Sequence, residues 1–397
     1  MRVAQINVTC GKGSTGKICE SISRCLDEKG IENKVFFASG DCGFENGIAY
    51  STPFLTKVNA LLSRVFGNYG FNARLVTRRL IRKLKRFSPD VVHLHNLHGH
   101  NANLTLLFRY LKKNRIKVVW TFHDCWAFTA YCPHFIAAKC DKWRTGCNRC
   151  PQVKGISWFF DRSKNVFNRK KKAILGSDLT IVTPSQWLAD LVKQSFLKDY
   201  PVKVIHNGID LSVFKPTESD FRERYRIPKE KYLVLGVAFG WGFKKGLDVF
   251  IELSKRLPEQ YQIVLVGTNE QVDKQLPQNV ISIHRTQNQT ELAEIYTAAD
   301  LFVNPTREEN YPTVNMESLA CGTPVLTFLT GGSPEIIDDT CGSSVECDDI
   351  DECESKIVQI CSEKIFNENS CCQRATSFDR IERFKEYIDL YEQEGIL

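Results

Sequence analysis

No run of about 20 apolar residues occurs in this chain, so no membrane-crossing helix is expected. The opening, Met1-Arg2-Val3-Ala4-Gln5-Ile6-Asn7-Val8, lacks the apolar core of a signal peptide and reads as a strand. A cytoplasmic protein is the expectation. Neither an internal repeat nor a low-complexity tract is evident, which excludes solenoid and linker-like architectures. Acidic residues are missing altogether from Asn46 to Pro89. What is present is a globular composition: 397 residues, 43% hydrophobic and 25% charged. That length is too great for one ordinary core and implies roughly two to three domains.

Charge is unevenly spread. Residues 1–200 hold 33 Lys/Arg and 13 Asp/Glu, whereas residues 201–397 hold 20 and 33. A first half at +20 and a second at −13 imply that only the first half meets an anionic partner, either nucleic acid or acidic lipid. The acid-free region contains Arg74–Phe87, in which seven of the thirteen residues from Arg74 to Arg86 are basic. Val76, Leu80, Leu84 and Phe87 fall on one helical stripe, which predicts a core face and an exposed cationic face. That face suits anionic lipid, or is simply solvated. No nucleic-acid recognition module accompanies it.

Sixteen cysteines are present. In a cytoplasmic protein they should be reduced unless they bind metal or do catalysis. Cys19, Cys25 and Cys361 read as small buried hydrophobes. Cys132, Cys140, Cys147 and Cys150 differ, because the last two form a C-x2-C pair inside a long loop. Four thiolates so spaced suit a structural zinc. A set of buried free thiols, or a mixed set with His134 or Cys125, is the alternative.

Short apolar runs alternate with helical patterns. Val3–Val8, Val35–Ala38, Val91–His95, Lys117–Phe122, Leu179–Thr183 and Val202–Ile205 read as strands. After His206–Asp210 a second set begins at Tyr232–Val237, Gln262–Val266, Val280–His284, Leu301–Asn304 and Pro324–Phe328. This is α/β alternation with parallel sheets. The expected division is residues 1–200, residues 201–378, and a final helix in residues 379–397 that packs back toward the first domain. Two such domains would face each other across a cleft, with ligands at the carboxyl ends of the strands.

Gly11-Lys12-Gly13-Ser14-Thr15-Gly16-Lys17-Ile18 nearly matches a phosphate-binding Walker loop, but Ile18 stands where a hydroxyl must hold magnesium. A glycine-rich turn opening a helix remains, with backbone N–H groups for a sugar or phosphate. Farther on, Glu309-Asn310-Tyr311-Pro312-Thr313-Val314-Asn315-Met316-Glu317 places two glutamates eight apart, the first in a loop and the second in a helix. A helix start near Thr313 offers free N–H groups to a diphosphate. Glu309 can then accept from sugar hydroxyls, and Glu317 can take a ribose diol.

This segment resembles the family 4 glycosyltransferases of the GT-B fold. The glycine-rich turn, Thr121–Asp124, Thr183–Ser185, His206–Asp210, Lys244–Asp248 and Ala298–Val303 match in order along nearly the whole chain. The resemblance implies two Rossmann-like domains and sugar transfer with retention, without a catalytic metal. It implies front-face attack, in which the departing phosphate takes the acceptor's proton. It gives Lys245 the leaving diphosphate and His123 the transferred sugar. With Glu309 these two form the expected catalytic set, and Gly13, Ser14, Thr15, Gly16, Lys244, Asn310, Tyr311, Pro312, Thr313 and Glu317 fall to donor binding. The family's usual arginine five residues before this lysine is Gly240 here, so Lys244 or backbone N–H groups must substitute.

Similar proteins transfer UDP- or GDP-linked sugars to glycan or polyprenyl-diphosphate-linked acceptors in capsule, O-antigen or exopolysaccharide synthesis. A place on the inner face of the cell membrane follows, with an anionic membrane surface as partner and no nucleic acid. Two other readings stand beside it: a nucleotide-sugar epimerase of the same architecture, and a zinc-stapled basic nucleic-acid-binding protein.

Overall fold

The computed structural model describes residues 1–38, 40 and 42–395. The chain forms two compact units, Met1–His206 with Ile381–Leu397, and Asn207–Arg380. Of the expected 379–397 segment, Ile396 and Leu397 lie outside the described residues.

The first unit runs β1 (Arg2–Asn7), α1 (Gly13–Glu28), β2 (Glu32–Phe37), β3 (Gly47–Ala49), α2 (Pro53–Phe66), α3 (Arg74–Phe87) and β4 (Val91–Leu94). It continues with α4 (Leu104–Lys113), β5 (Lys117–Thr121), α5 (Ser163–Ile174), β6 (Leu179–Thr183), α6 (Gln186–Val192) and β7 (Val202–Val204). Its seven-stranded sheet is ordered β3-β2-β1-β4-β5-β6-β7, with parallel pairing throughout. Because β7 pairs with β6, the first unit extends past residue 200 to His206.

The second unit runs α7 (Phe221–Arg224), β8 (Tyr232–Val237), α8 (Leu247–Arg256), β9 (Tyr261–Val266), α9 (Glu270–Asp273), β10 (Val280–Ile283) and α10 (Gln289–Ala298). Then come β11 (Leu301–Asn304), α11 (Thr313–Ala320), β12 (Val325–Phe328), β13 (Gly342–Val345), α12 (Ile350–Glu363) and α13 (Glu368–Ala375). Its parallel sheet is ordered β10-β9-β8-β11-β12-β13.

Both sheets are covered on both faces, so β4, β6, β11 and β12 are buried at every residue. Consecutive residues of β1 show it: Val3 joins the core on one face and Ala4 the core on the other. The final helix, α14 (Arg380–Gly395), lays Phe384, Tyr387, Ile388 and Tyr391 into the same core as Val3, Ile22 and Val119 of the first unit. Two of its tyrosines reach polar groups in the sheet. The Tyr391 hydroxyl meets His93 Nδ1 at 2.6 Å, and Thr121 Oγ1 donates to the Tyr387 hydroxyl at 3.2 Å.

One expectation about cysteine fails. Cys10 and Cys42 are bonded to each other, with Cα atoms 5.2 Å apart, a separation that a disulfide spans.

The buried pairing of α14 with β4 yields a stability prediction. Burial holds the imidazoles of His93 and His95 well below the usual histidine range. The unfolded chain therefore takes up protons that the folded chain refuses. This contribution is fully present above a pH of about 6.5 and is lost as pH falls below it toward the folded values. Thermal melts should show the midpoint falling between pH 7 and 5. Tyr391→Phe should cost about 1–3 kcal/mol at pH 7, because it strands a buried ring nitrogen.

Candidate functional site

In open parallel sheets ligands gather where the strand order reverses, at the carboxyl ends of the strands. The reversal lies between β1 and β4 in the first sheet and between β8 and β11 in the second. Helix starts at these points differ from most others. Side-chain caps from Thr52, Asn103, Ser185, Asn288, Asp349 and Asn367 close α2, α4, α6, α10, α12 and α13. The helices after β1, β8 and β11 have no such cap, a feature they share with α3, α5 and α7. No side chain therefore closes these three starts, although the Leu247 amide of α8 and the Asn315 amide of α11 donate to the carbonyls of Gly242 and Pro312.

In the first unit the glycine-rich turn follows β1. Gly13, Ser14, Thr15 and Gly16 form the first turn of α1. A Cβ on Gly16 would lie 2.8 Å from Thr9 Oγ1, so a larger residue there must displace that side chain. Asn7 Nδ2 donates to Thr9 O and to Thr15 Oγ1, tying the strand end to the turn.

His123 lies just beyond β5. Its Nε2 is 3.1 Å from His95 Nδ1, and the two rings stack with centroids 5.4 Å apart. His95 Nε2 in turn meets Gln5 Oε1 of β1 at 3.2 Å. A polar chain therefore crosses β1, β4 and β5. Burial, opposed by the Asp124 carboxylate, pushes the His123 imidazole down to about 4. It is neutral at pH 7 and serves as a hydrogen-bonding group rather than a cation. Asp124 is taken up by His98 Nε2 at 2.9 Å and the Trp126 amide at 2.8 Å. His95 and His98 went unremarked in the sequence, although the alternation in Val91–His100 displays them.

In the second unit, the segments after β8 and β11 meet. Lys244 and Lys245 end a short 3-10 turn, Phe243–Lys245. Lys245 Nζ donates to Glu309 Oε2 at 2.6 Å, and Lys244 pairs with Glu308. Gly246 adopts φ +74°, and a Cβ there would lie 2.4 Å from the Pro305 carbonyl, so only glycine lets the two segments approach. Gly331 does the same service against Glu309, where a Cβ would come within 2.0 Å of the carbonyl oxygen. The adjacent Gly332 amide donates to Asn310 O at 2.7 Å.

Arg307 holds this arrangement. Its buried guanidinium donates to both Asp248 carboxylate oxygens at 2.8 Å and to Asp348 at 2.6 Å, and it also bonds the Phe243 carbonyl. Its own amide donates to Lys244 O at 2.9 Å. Sequence reasoning passed over Arg307, because nothing in its local pattern separates it from a surface arginine.

Of the other expected donor residues, Asn310, Tyr311 and Pro312 are buried in the loop, Thr313 opens α11, and Glu317 lies within that helix. Tyr296 donates to Glu317 Oε2 at 3.4 Å. Among the described residues, Glu308 Oε1, Asn315 Nδ2 and Ser333 Oγ are buried with no hydrogen-bond partner. Such groups in folded proteins ordinarily meet a water, an ion or a ligand. Gly240 has open space where a side chain would begin.

Cys132, Cys140, Cys147 and Cys150 line one pocket together. Among the described residues, no group of three or more His, Cys, Asp or Glu side chains is gathered closely enough to hold a metal ion. Lys170 fastens the start of the loop: its buried amino group donates to the carbonyls of Trp126 and Thr129 at 2.5 and 2.8 Å.

Comparison with known proteins agrees with this layout. The family described as Glycosyltransferase Family 4 matches residues 15–213, and Glycosyl transferases group 1 matches residues 218–376. The chain is 23% identical over 376 residues, 88% of each chain, to a putative colanic acid biosynthesis glycosyl transferase, WcaC, of Escherichia coli K12. It is 28% identical over 370 residues to a D-inositol 3-phosphate glycosyltransferase of Corynebacterium jeikeium, covering 85% of this chain and 83% of that one. Among solved structures, sucrose-phosphate synthase of Thermosynechococcus elongatus superposes with a TM-score of 0.71 at 17% identity, over 99% and 98% of the two chains. Anabaena HepE in complex with UDP superposes at 0.70 and 15% identity, over 99% and 100%. One family description spans half the chain and a second covers most of the rest, so this protein belongs to glycosyltransferase family 4, with the two Rossmann-like domains of the GT-B fold.

Proposed function

We propose that this glycosyltransferase moves a sugar, with retention, from a UDP- or GDP-linked donor to a glycan or polyprenyl-diphosphate-linked acceptor. Surface polysaccharide is the product, made at the cytoplasmic face of an anionic membrane. The observation that carries the donor half is the Lys245–Glu309 pair at the strand reversal of the second sheet, beside the uncapped start of α11. The name of the E. coli relative favours polysaccharide synthesis, and the HepE complexes with UDP and UDP-glucose favour a nucleotide-diphosphate sugar.

The ion pairs give the binding step a definite form. An arriving diphosphate draws Lys245 and Lys244 from Glu309 and Glu308. Glu309 is then open to the sugar hydroxyls, and Glu317 takes the ribose. The acceptor oxygen attacks the anomeric carbon from the face that the diphosphate leaves, and a diphosphate oxygen receives the acceptor's proton. Charge on the leaving group grows toward the transition state, so fixed cations there lower the barrier. Neutral His123 contacts the sugar.

Lys245→Ala and Glu309→Ala should each lower kcat by about 10²–10³ with the fold retained, measured as donor turnover in purified protein. Wild-type rates in either variant would remove the assignment. Gly240→Arg has room to be accommodated and restores the family's cation. It should lower the donor KM by about tenfold, the scale of one charge-assisted hydrogen bond.

For the membrane half, α3 buries Val76, Leu80 and Leu84 and leaves Arg74, Arg78, Arg82, Lys85 and Arg86 exposed. Each cation beside anionic headgroups contributes about 1 kcal/mol. Reversing Arg78, Arg79, Arg82 and Lys83 to Glu should release the protein from anionic vesicles in a sedimentation assay.

A structural zinc on Cys132, Cys140, Cys147 and Cys150 is also proposed, on the shared pocket and the thiol donor set. It requires the four thiols to draw closer together than they stand here. Elemental analysis of protein purified without added metal should find about one zinc per chain. Metal-free protein of full stability would sink the idea.

A further inference from the structure

Helix α2 turns an apolar face outward, although Leu55 packs partly against the core. It buries Asn59 and Ser63 and presents Phe54, Val58, Leu61 and Phe66 to solvent, with Phe54 73% exposed. A surface helix ordinarily does the reverse. The helix is otherwise well formed, with a Thr52 cap, Pro53 at its first position and Gly67 in the left-handed conformation at its end. Its outward apolar face is therefore a property of a stable element.

A second exposed apolar feature adjoins it. Trp158, Phe159 and Phe160 follow one another in a loop and are 55%, 69% and 48% exposed. This loop is fastened to the end of α2. The Trp158 amide and the Ser157 hydroxyl both donate to Arg64 O, at 2.8 and 3.2 Å, and Gly67 sits so close that a Cβ would be 2.7 Å from Phe160 O. Single exposed hydrophobes are common, but this many on two joined elements mark an interaction surface.

The border of the patch is cationic. Arg64 lies over the Trp158 ring at 5.8 Å and Arg162 over the Phe160 ring at 5.5 Å. Arg162 and Arg74, at the start of α3, are near enough to Arg169 for their charges to act on it. Lys57 and Lys164 are exposed nearby in sequence. The acid among them, Asp161, accepts from the backbone amides of Cys150 and Ser163.

We infer that α2 and the Trp158–Phe160 loop form a wedge that enters the interfacial layer of an anionic bilayer, with Arg64, Arg74 and Arg162 at the headgroups. This rests on the membrane reading above and goes beyond it, because there α3 binds by charge alone. Charge complementarity selects the occupant: aromatic and aliphatic side chains ringed by arginine match acyl chains below anionic headgroups. The shape agrees. Three consecutive projecting rings need a partner that closes around them, as a fluid bilayer does.

The test uses the full chain and vesicles of phosphatidylcholine, alone or with one quarter phosphatidylglycerol. Two variants are compared with wild type: Phe54→Ser with Leu61→Ser, and Trp158→Ser with Phe159→Ser and Phe160→Ser. All five positions are exposed, and thermal melts check that folding is unchanged. Each variant should bind the anionic vesicles at least tenfold more weakly than wild type and should hydrolyse donor at the wild-type rate. Wild-type Trp fluorescence should be quenched by brominated lipid, and the loop variant should lose part of that quenching. Tight wild-type binding that both variants retain, but that the α3 charge reversal abolishes, would overturn the wedge and keep the membrane reading. Failure of wild type to bind either vesicle would overturn both. A wild-type dimer in sedimentation velocity that becomes monomeric in the variants would make the patch a self-contact, and the wedge would again be wrong.

Discussion

The guanidinium of Arg307 joins three segments that the chain order keeps apart. Asp248 belongs to α8 after β8, Asp348 follows β13, and Arg307 itself follows β11. A buried arginine is costly unless each of its donors is answered, and here two carboxylates and a carbonyl answer them. The same residue fixes the Phe243–Lys245 turn through its amide and that carbonyl. The positions of Lys244 and Lys245 therefore depend on a group that touches neither side chain. Rigid support of this kind is what a transfer site needs, because misplacement by about 1 Å is enough to cost a large part of the rate.

The first unit uses a different device for the same purpose. Its strand-end groups are held by neutral hydrogen bonds among Gln5, His95 and His123, in a setting whose burial keeps the imidazoles uncharged. The second unit works with paired charges, the first with polar groups that burial keeps neutral.

Surface and core tell different stories in α2 and α3. Both helices are amphipathic, and both lie in the region without acids, although only α3 was read from the sequence. In α3 the apolar stripe faces the core, so its charges are outside. In α2 the helix is rotated the other way, and apolar groups are outside. Periodicity reports that a helix has two faces, but it does not report which one the rest of the fold covers.

Much of the architecture was set by the sequence alone. Parallel strands buried on both faces must be continuous apolar runs, so β4, β5, β6, β8 and β11 were recognisable with little error at their ends. By contrast, Gly47–Ala49 and Gly342–Val345 were missed, being short edge strands made of small residues with no such run. Glu309, Lys245, His123 and the glycine-rich turn stood out because motif spacing survives in one dimension. Glu308, Arg307, Asp348 and His95 did not, since their meaning lies in partners 28 to 90 residues away, which only packing brings within hydrogen-bond range. The same holds for Cys10 and Cys42, 32 residues apart and bonded. Local pattern determines which elements form, because it is set by the backbone's own periodicity. Which side chains meet at the strand reversals, and which face of α2 remains bare, depends on contacts between distant segments and was decided by the tertiary structure.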